Sequence, residues 1–221
     1  MERSGKRSKQ PTEVRQVSLV EAALQLAAQR SPADITTGDL AQAVGITQGA
    51  VFRHFASKEA IWLAALEWST DTLMTRLQAA ASAAPSPLAA LQAVFKAHVD
   101  FVVAHPGVPR VIFQELQHAQ DTVLKACVRS LMQQYRTLIT RLLQRAHDQR
   151  LLAPGTDLQA AAVLFIGSVQ GLVMQSLISG QVQAMAAQAP GVFTIYLRGL
   201  AVHGGGAPAS KHIDPTLKET S

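Results

Sequence analysis

Three side chains between residues 48 and 53 have the chemistry and spacing needed to recognise the bases of a nucleic acid. Gln48 carries an amide that can form two hydrogen bonds with adenine, Ala50 can contact the methyl group of thymine, and Arg53 can bind guanine or neutralise a phosphate. They fall within six residues, so one short helix can present all of them to a major groove.

The residues around this segment predict short helices that would position it. Thr36 or Thr37 can cap one helix, and Asp39 is spaced from Thr36 as in a capping box. Gly45 permits a tight turn, and Thr47 caps the next helix, the third in the chain after helices at 11–30 and from Thr37, which we expect to reach about residue 54. The apolar residues that can pack these helices are Ala41, Val44, Ile46, Val51 and Phe55. With them inward, the outer surface of the third helix presents Gln48, Gly49, Ala50, Phe52 and Arg53.

The run from Ile35 to Trp62, ITTGDLAQAVGITQGAVFRHFASKEAIW, resembles the helix-turn-helix signature of the TetR family of bacterial regulators. The resemblance is strong over residues 14–66, whereas the rest of the chain agrees in helix number, helix lengths and size. It implies that the residues matching Thr37, Phe52, His54 and Lys58 approach the DNA backbone. We therefore predict contacts with operator DNA at Thr37, Thr47, Gln48, Gly49, Ala50, Phe52, Arg53, His54 and Lys58.

Two positions depart from the pattern of the family. Phe52 stands where many members have tyrosine, so a phenolic hydrogen bond to phosphate is lost and packing or stacking remains. Gly38 offers no side chain where some members reach toward a base, so base recognition should depend on the third helix alone. A basic arm could add phosphate or minor-groove contacts through Arg3, Lys6, Arg7 and Lys9.

Helical periodicity continues through the remainder of the chain, and no segment alternates convincingly with the period of a β-strand. Further helices are expected at 11–30, 58–84, 87–105, 108–117, 122–150, 157–179 and 190–202. The predicted fold class is all-α, with about nine helices forming a three-helix DNA-binding domain and a larger C-terminal bundle. We divide the chain into a flexible basic arm (1–10), a helix-turn-helix domain (11–60), a ligand-sensing and dimerisation domain (61–203) and a flexible tail (204–221).

The resemblance also implies a homodimer built from the last two long helices. Such a dimer would place two recognition helices on a pseudo-palindromic operator, with half-sites about one DNA turn apart. Two glycines four residues apart would allow a close helix approach, which we interpret as subunit or core packing. The predicted interface contains Gly167, Gly171, Met174, Ile178, Phe193, Tyr196 and Leu197.

Family members bind their effectors inside the C-terminal bundle, at residues that vary with the effector. The candidates here are Phe101, Phe113, Met132, Tyr135, Phe165 and Gln170, each of which can instead be an ordinary core residue. The small number of aromatic residues and the lack of a buried charge cluster favour a neutral or weakly polar hydrophobic effector. An anionic effector becomes a better fit if Arg110 or Arg136 faces inward.

Composition and motifs argue against several other classes of function. A formal charge of +5 is compatible with a polyanionic partner but carries little weight alone, and the single cysteine, Cys127, excludes an intramolecular disulfide. No HExxH, phosphate-loop, GxSxG or GxGxxG motif occurs, so we expect no metal, no cofactor and no enzymatic activity. There is no secretory signal, and the apolar run at 160–179 contains Gln170 and Gln175, which favours a buried helix, no membrane contact and a cytoplasmic location.

These observations predict a ligand-responsive transcription regulator, most simply a repressor that a small hydrophobic molecule releases from its operator. Activation instead of repression stays open. The alternative is a helical module that binds a small molecule or a protein and has kept the fold without operator binding. An enzyme that uses the C-terminal cavity is a third reading, which the missing catalytic constellation disfavours.

Overall fold

Nine α-helices make up the fold over residues 12–201, the part of the chain that the computed structural model describes. The helices are α1 (Thr12–Gln29), α2 (Thr37–Ala43), α3 (Gln48–Val51), α4 (Lys58–Ala83), α5 (Pro87–Ala104), α6 (Gly107–Leu116), α7 (Val123–Asp148), α8 (Leu158–Ser179) and α9 (Ala184–Leu200). A 3-10 turn at Pro32–Asp34 precedes α2, and Leu152 and Ala201 form an isolated antiparallel bridge. The predicted all-α class is confirmed, while the predicted basic arm (1–10) and the whole predicted tail (204–221) lie outside the described residues.

Side-chain caps define where most of these helices begin, as their sequence predicts. The hydroxyl of Thr36 accepts a hydrogen bond from the amide of Asp39 at 3.1 Å, and the Asp39 carboxylate accepts one from the amide of Thr36 at 2.7 Å. After α2, Gly45 takes a φ of 68°, a left-handed conformation that reverses the chain toward α3. Equivalent hydroxyl or carboxylate caps start the later helices at Ser57, Ser86, Thr122 and Asp157.

Two predicted helix boundaries were wrong. The last helix begins at Ala184, six residues before Pro190, so this proline lies inside α9. A proline there removes one backbone hydrogen bond, but burial of Met185 and Ala189 in the core favours continuing the helix. The third helix ends at Val51 and continues only as a turn, in which the amides of His54 and Phe55 both bond to the carbonyl of Val51.

The long helices pack into a bundle, and α4 connects the N-terminal helices to it. Helix α4 packs against α1, α5, α6 and α7. The expected domain boundary at residue 60 falls in the first turn of this continuous helix and stays a proposal. Aromatic rings from four helices fill the bundle core, where they meet mostly edge to face: Phe95, Tyr135, Phe165, Phe193 and Tyr196.

Helices α5 and α8 are long and apolar enough, by length and composition, to cross a membrane. Both are integrated into the bundle, because α5 packs against α4, α7 and α9, and α8 packs against α7 and α9. Core helices pass the same composition test, but the apolar run predicted to be a buried helix is buried on one side only, because Val163, Leu164 and Ile178 are exposed.

Candidate DNA-binding and ligand-binding sites

The outward surface of α3 carries the residues predicted to recognise bases. Val51 is fully buried and holds the helix against the core, while Thr47 caps it by accepting a hydrogen bond from the amide of Ala50 at 3.3 Å. Thr47, Gln48, Gly49, Phe52 and Arg53 are exposed, whereas Thr37, Ala50, His54 and Lys58 are half-buried. All nine predicted contact residues therefore lie in or next to the helix-turn-helix, each with at least part of its surface exposed.

Gln48 and Thr37 are joined by a hydrogen bond that the sequence does not reveal. The Nε2 atom of Gln48 donates to Oγ1 of Thr37 at 2.8 Å, across the turn between α2 and α3. The bond restricts the amide of Gln48 and leaves its Oε1 atom as the available acceptor. Thr37 therefore holds the side-chain amide of Gln48, one of the residues predicted to recognise bases.

Two side chains of α1 hold the helix-turn-helix in place, and the sequence analysis missed both. Arg15 donates to the carbonyl of Val44, at the end of α2, at 3.2 Å. Gln16 donates to the carbonyl of His54, in the turn after α3, at 2.8 Å. Because helix ends leave carbonyls without intrahelical partners, these bonds couple the position of α3 to that of α1.

The predicted phosphate-contacting residues surround the start of α4. Lys58 donates to the carbonyl of Ala33 at 3.1 Å, which holds its ammonium group beside the helix-turn-helix. The Nδ1 atom of His54 is buried without a hydrogen-bond partner among residues 12–201, which leaves Nε2 as the ring atom that can contact a phosphate. Phe52 is 51% exposed, so its ring is accessible to a partner.

An ion pair reinforces the start of α2. Arg30 and Asp39 lie 2.9 Å apart, and the carboxylate also accepts the capping hydrogen bonds of Thr36. The hydrogen bonds from Thr36, together with the Arg30 guanidinium, lower the pKa of Asp39 to about 2. The Asp39 carboxylate therefore stays ionised, and the cap stays intact, at any pH at which the protein would bind DNA.

A cavity of about 550 Å³ opens among α4, α5, α6, α7 and α8, within the size range of small-molecule sites. Five of the six predicted pocket residues line it: Phe101, Phe113, Met132, Tyr135 and Gln170. The sixth does not, because Phe165 is fully buried and packs edge to face on Phe95 and Tyr196, with ring centroids 5.4 and 5.5 Å apart. Phe165 therefore belongs to the core.

The polar groups deepest in the cavity are neutral at ordinary pH. His98 and Tyr135 lie on its wall, and Nδ1 of His98 is 3.0 Å from the hydroxyl oxygen of Tyr135. Burial lowers the pKa of His98 to about 4, and burial followed by the nearby Tyr196 raises the pKa of Tyr135. The sequence analysis did not predict His98 as a cavity residue, because a single histidine in an apolar helix gives no local indication that a cavity lies beside it.

Helix α6 contacts both the cavity and the DNA-binding helices. Val108, Ile112 and Phe113 line the cavity, while the start of α6 lies against α1. A Cβ atom on Gly107 would lie 2.0 Å from the carbonyl oxygen of Leu24, so only glycine permits this approach. Farther along α6, the side-chain oxygen of Gln114 accepts a hydrogen bond from the amide of Ala33 at 2.8 Å.

The predicted dimer residues divide into two groups. Met174 and Ile178 are 42% and 72% exposed, and the two glycines of α8, Gly167 and Gly171, face open space. Three more exposed apolar residues of α8 and α9 accompany them: Val163, Leu164 and Ile195. We call these seven residues the α8–α9 face. Leu197 is half-buried.

Phe193 and Tyr196, by contrast, lie in the core of the protomer. Both are at least 96% buried, and the hydroxyl of Tyr196 donates to the carbonyl of Ala161 at 3.1 Å. Their place in the predicted interface is therefore corrected: they pack α9 onto α8 within one chain. Across residues 12–201, no three His, Cys, Asp or Glu side chains are grouped in a way that could hold a metal ion.

Solved structures share this fold. The fatty acid degradation regulator FadR from Bacillus halodurans aligns with a TM-score of 0.75 and 18% identity, covering 89% of this chain and all of its own. The ketosteroid transcriptional regulator KstR2 of Mycobacterium tuberculosis aligns with a TM-score of 0.69 and 21% identity, covering 86% of this chain and 96% of its own. FadR from Bacillus subtilis in complex with stearoyl-CoA gives a TM-score of 0.72 at 16% identity, covering 83% and 98%.

Curated relatives and family models agree with the fold. Nucleoid occlusion factor SlmA from Marinomonas sp. is 21% identical over 72% of this chain and 81% of its own length, and that from Marinobacter nauticus is 25% identical over 73% and 83%. The model for bacterial regulatory proteins of the tetR family matches residues 19–65, and that for the tetracyclin repressor-like C-terminal domain matches residues 87–190. With both parts matched, the chain belongs to the TetR family of DNA-binding transcription regulators.

Proposed function

We propose that the protein is a homodimeric repressor that a small hydrophobic molecule releases from a palindromic operator. The observation that carries the proposal is the position of α6, which lines the cavity on one side and packs against α1 on the other. A molecule in the cavity contacts an element whose movement α1 must follow, and α1 in turn holds α2 and α3 through Arg15 and Gln16.

On the DNA side, we propose that Gln48 and Arg53 read bases and that Lys58 contacts a phosphate. Both base readers are exposed on the same short element, and Thr37 orients the amide of Gln48. His54 and Phe52 add backbone contacts, the latter by packing its exposed ring against sugar atoms. These interactions would serve one operator half-site.

The α8–α9 face supports the proposal of a dimer. It joins exposed apolar side chains to glycines that leave room for another helix, and large exposed apolar surfaces on a folded chain mark interaction sites. A twofold axis through it would pair two recognition helices with two half-sites. Ligand then acts by favouring the dimer shape whose half-site spacing does not match the operator, to the extent that it binds that shape more tightly.

The proposal includes no catalytic step and places the protein in the cytoplasm, with chromosomal DNA. The two titratable groups deepest in the cavity, His98 and Tyr135, are hydrogen-bonded to each other. No acidic residue is among the residues that line this cavity. A mixed donor and acceptor pair of this kind is suited to fix the orientation of a ligand.

Selection from a random duplex library, followed by affinity measurement on the selected DNA across a salt series, tests the proposal. We expect an enriched palindrome that binds well above scrambled DNA, with affinity falling steeply as salt rises. Arg53→Ala should relax base preference at one position by about 1–3 kcal/mol, whereas Lys58→Ala should weaken binding to all sequences alike. Absence of any enriched sequence would favour the alternative of a helical binding module without operator recognition.

A second candidate comes from the curated relatives, which are named nucleoid occlusion factors. Because these relatives are only 21% and 25% identical to this chain, we give nucleoid occlusion as a proposal. Mapping the chromosomal sites that the protein binds, together with measuring transcription in a deletion strain, distinguishes a repressor from a nucleoid occlusion factor. Altered transcription of genes next to the bound sites supports the repressor, whereas bound sites without any transcriptional change support the second candidate.

A further inference from the structure

The interior of the cavity is mostly apolar. Its walls are formed mainly by aliphatic and aromatic side chains, among them Leu73, Phe101, Val108, Phe113, Leu131 and Ile166. Polar atoms are few there, and the pair formed by His98 and Tyr135 is uncharged at neutral pH. An apolar group of a ligand would therefore bind this interior by losing its contact with water.

Charge at the edge of the cavity is of one sign only. Lys125, Arg129 and Arg136 all line it from α7, and its lining residues include no aspartate and no glutamate. Arg136 comes eleven residues after Lys125 on this helix, which corresponds to about 16 Å at the rise of an α-helix. A cavity with an apolar interior and a cationic edge is suited to a molecule with two chemically different ends.

The three cations differ in what already binds them. Lys125 donates to the carbonyl of His118 at 2.7 Å, and Arg129 forms a bidentate ion pair with Asp121. The guanidinium of Arg136 has no ion pair or hydrogen bond with any residue between 12 and 201. It is therefore the cation of the cavity edge whose guanidinium is available to a ligand.

Two side-chain amides line the same cavity as this guanidinium. They belong to Gln133, three residues before Arg136 on α7, and to Gln170 of α8, whose amide nitrogen donates to the weakly accepting sulfur of Met132 at 3.8 Å. Both amides can donate hydrogen bonds to a ligand in the cavity. Together with a charged guanidinium, such donors are suited to bind an oxyanion.

We infer that the effector is an amphiphile with one anionic head group, whose apolar chain fills the cavity while its head binds Arg136 between Gln133 and Gln170. The inference rests on the proposed function, since it names the chemical class of the molecule that the cavity takes. It also replaces the neutral effector favoured by composition, because Arg136 lines the cavity. A neutral head group would gain no ion pair with the Arg136 guanidinium, and a cationic head group would be repelled by its unpaired charge.

Calorimetric titration of the full-length protein with three ten-carbon probes tests this inference. The probes are decanoate, decan-1-ol and decyltrimethylammonium, which share the chain and differ in the charge of the head. We expect decanoate to bind about ten-fold more tightly than the alcohol, as a charge-assisted hydrogen bond provides, and the cation to bind more weakly than either. Equal affinity for all three, or tightest binding of the alcohol or the cation, would overturn the inference.

Arg136→Gln locates the head group. It should reduce the advantage of decanoate over the alcohol to about two-fold or less while leaving the affinity for the alcohol unchanged. Arg141→Gln is the matched control, because Arg141 lies on the same helix and does not line this cavity. A decanoate preference that survives Arg136→Gln, or that Arg141→Gln reduces equally, contradicts the assignment.

Operator binding without any probe is measured in parallel, which separates the two levels of the argument. Tight operator binding combined with no preference for decanoate leaves the repressor proposal standing and refutes the anionic head. A decanoate preference that depends on Arg136, in a protein that binds no operator, refutes the repressor proposal and leaves the ligand class standing.

Discussion

Gly107→Ala is the substitution that most directly tests the contact between the cavity and the DNA-binding helices. The new Cβ atom would lie 2.0 Å from the carbonyl oxygen of Leu24, whereas an ordinary contact begins at 3.4 Å. The start of α6 and the middle of α1 must therefore separate by about 1.4 Å, the difference between those two distances. Overpacking of this kind costs about 1–3 kcal/mol of the free energy of unfolding.

Because α1 holds α2 and the turn after α3 through Arg15 and Gln16, the separation should also misplace the recognition helix. We expect a Tm lower by about 2–12 °C, from about 2–4 °C per kcal/mol for a chain of this size. Operator affinity, measured by fluorescence anisotropy well below the Tm, should fall at least ten-fold.

Gly199→Ala serves as the matched control, since a Cβ atom at Gly199 meets no atom within 4 Å. It should leave the operator affinity unchanged and hold or slightly raise the Tm, because alanine favours the helix. If Gly107→Ala is as stable as the parent, the tight packing is refuted. If it is less stable yet binds operator normally, the coupling of α6 to α3 through α1 is refuted.

Three further outcomes follow from the same structure. Thr37→Val, which removes the hydroxyl that accepts from Gln48, should relax base preference at one operator position in a library selection, whereas Thr37→Ser should retain it. The pKa of His98 is about 4 in the folded protein and near 6.5 in the unfolded chain. The neutral imidazole therefore contributes about 3 kcal/mol at most to the free energy of unfolding, and this contribution is complete above pH 6.5 and is lost as the pH falls toward 4. Denaturant unfolding at a series of pH values should show that loss, and His98→Gln should make the free energy of unfolding less dependent on pH. An equal pH dependence in both proteins would exclude His98 as the cause. Ile178→Glu should yield a monomer in analytical ultracentrifugation, while Val123→Glu, equally exposed but outside the α8–α9 face, should remain dimeric; dimers of both would place the interface elsewhere.

The helix-turn-helix could be predicted closely because its signals act between neighbouring residues. A capping box joins Thr36 to Asp39, three residues away, and Gly45 reverses the chain through its own φ angle. Such interactions depend little on the rest of the fold. The bond from Gln48 to Thr37 and those from Arg15 and Gln16 were not predicted, because they join helices whose relative orientation is a tertiary property.

The cavity and the protomer surface were predicted less well. Apolar periodicity indicates which side of a helix faces inward, but an inward side can meet either another side chain or an empty space. Phe101 and Phe165 look alike in sequence, yet the first lines the cavity and the second fills the core. Tyr196 and Ile178 likewise separate into core and surface only when α8 and α9 are packed.

The sequence by itself therefore determined the all-α class and the helix-turn-helix, since caps, turns and periodicity act over three or four residues. Only the tertiary structure decided where the cavity lies, that Arg136 stands at its edge, and that α6 is held against α1 at Gly107. Those features depend on how closely distant helices approach, and pairs of side chains far apart in the chain set that distance.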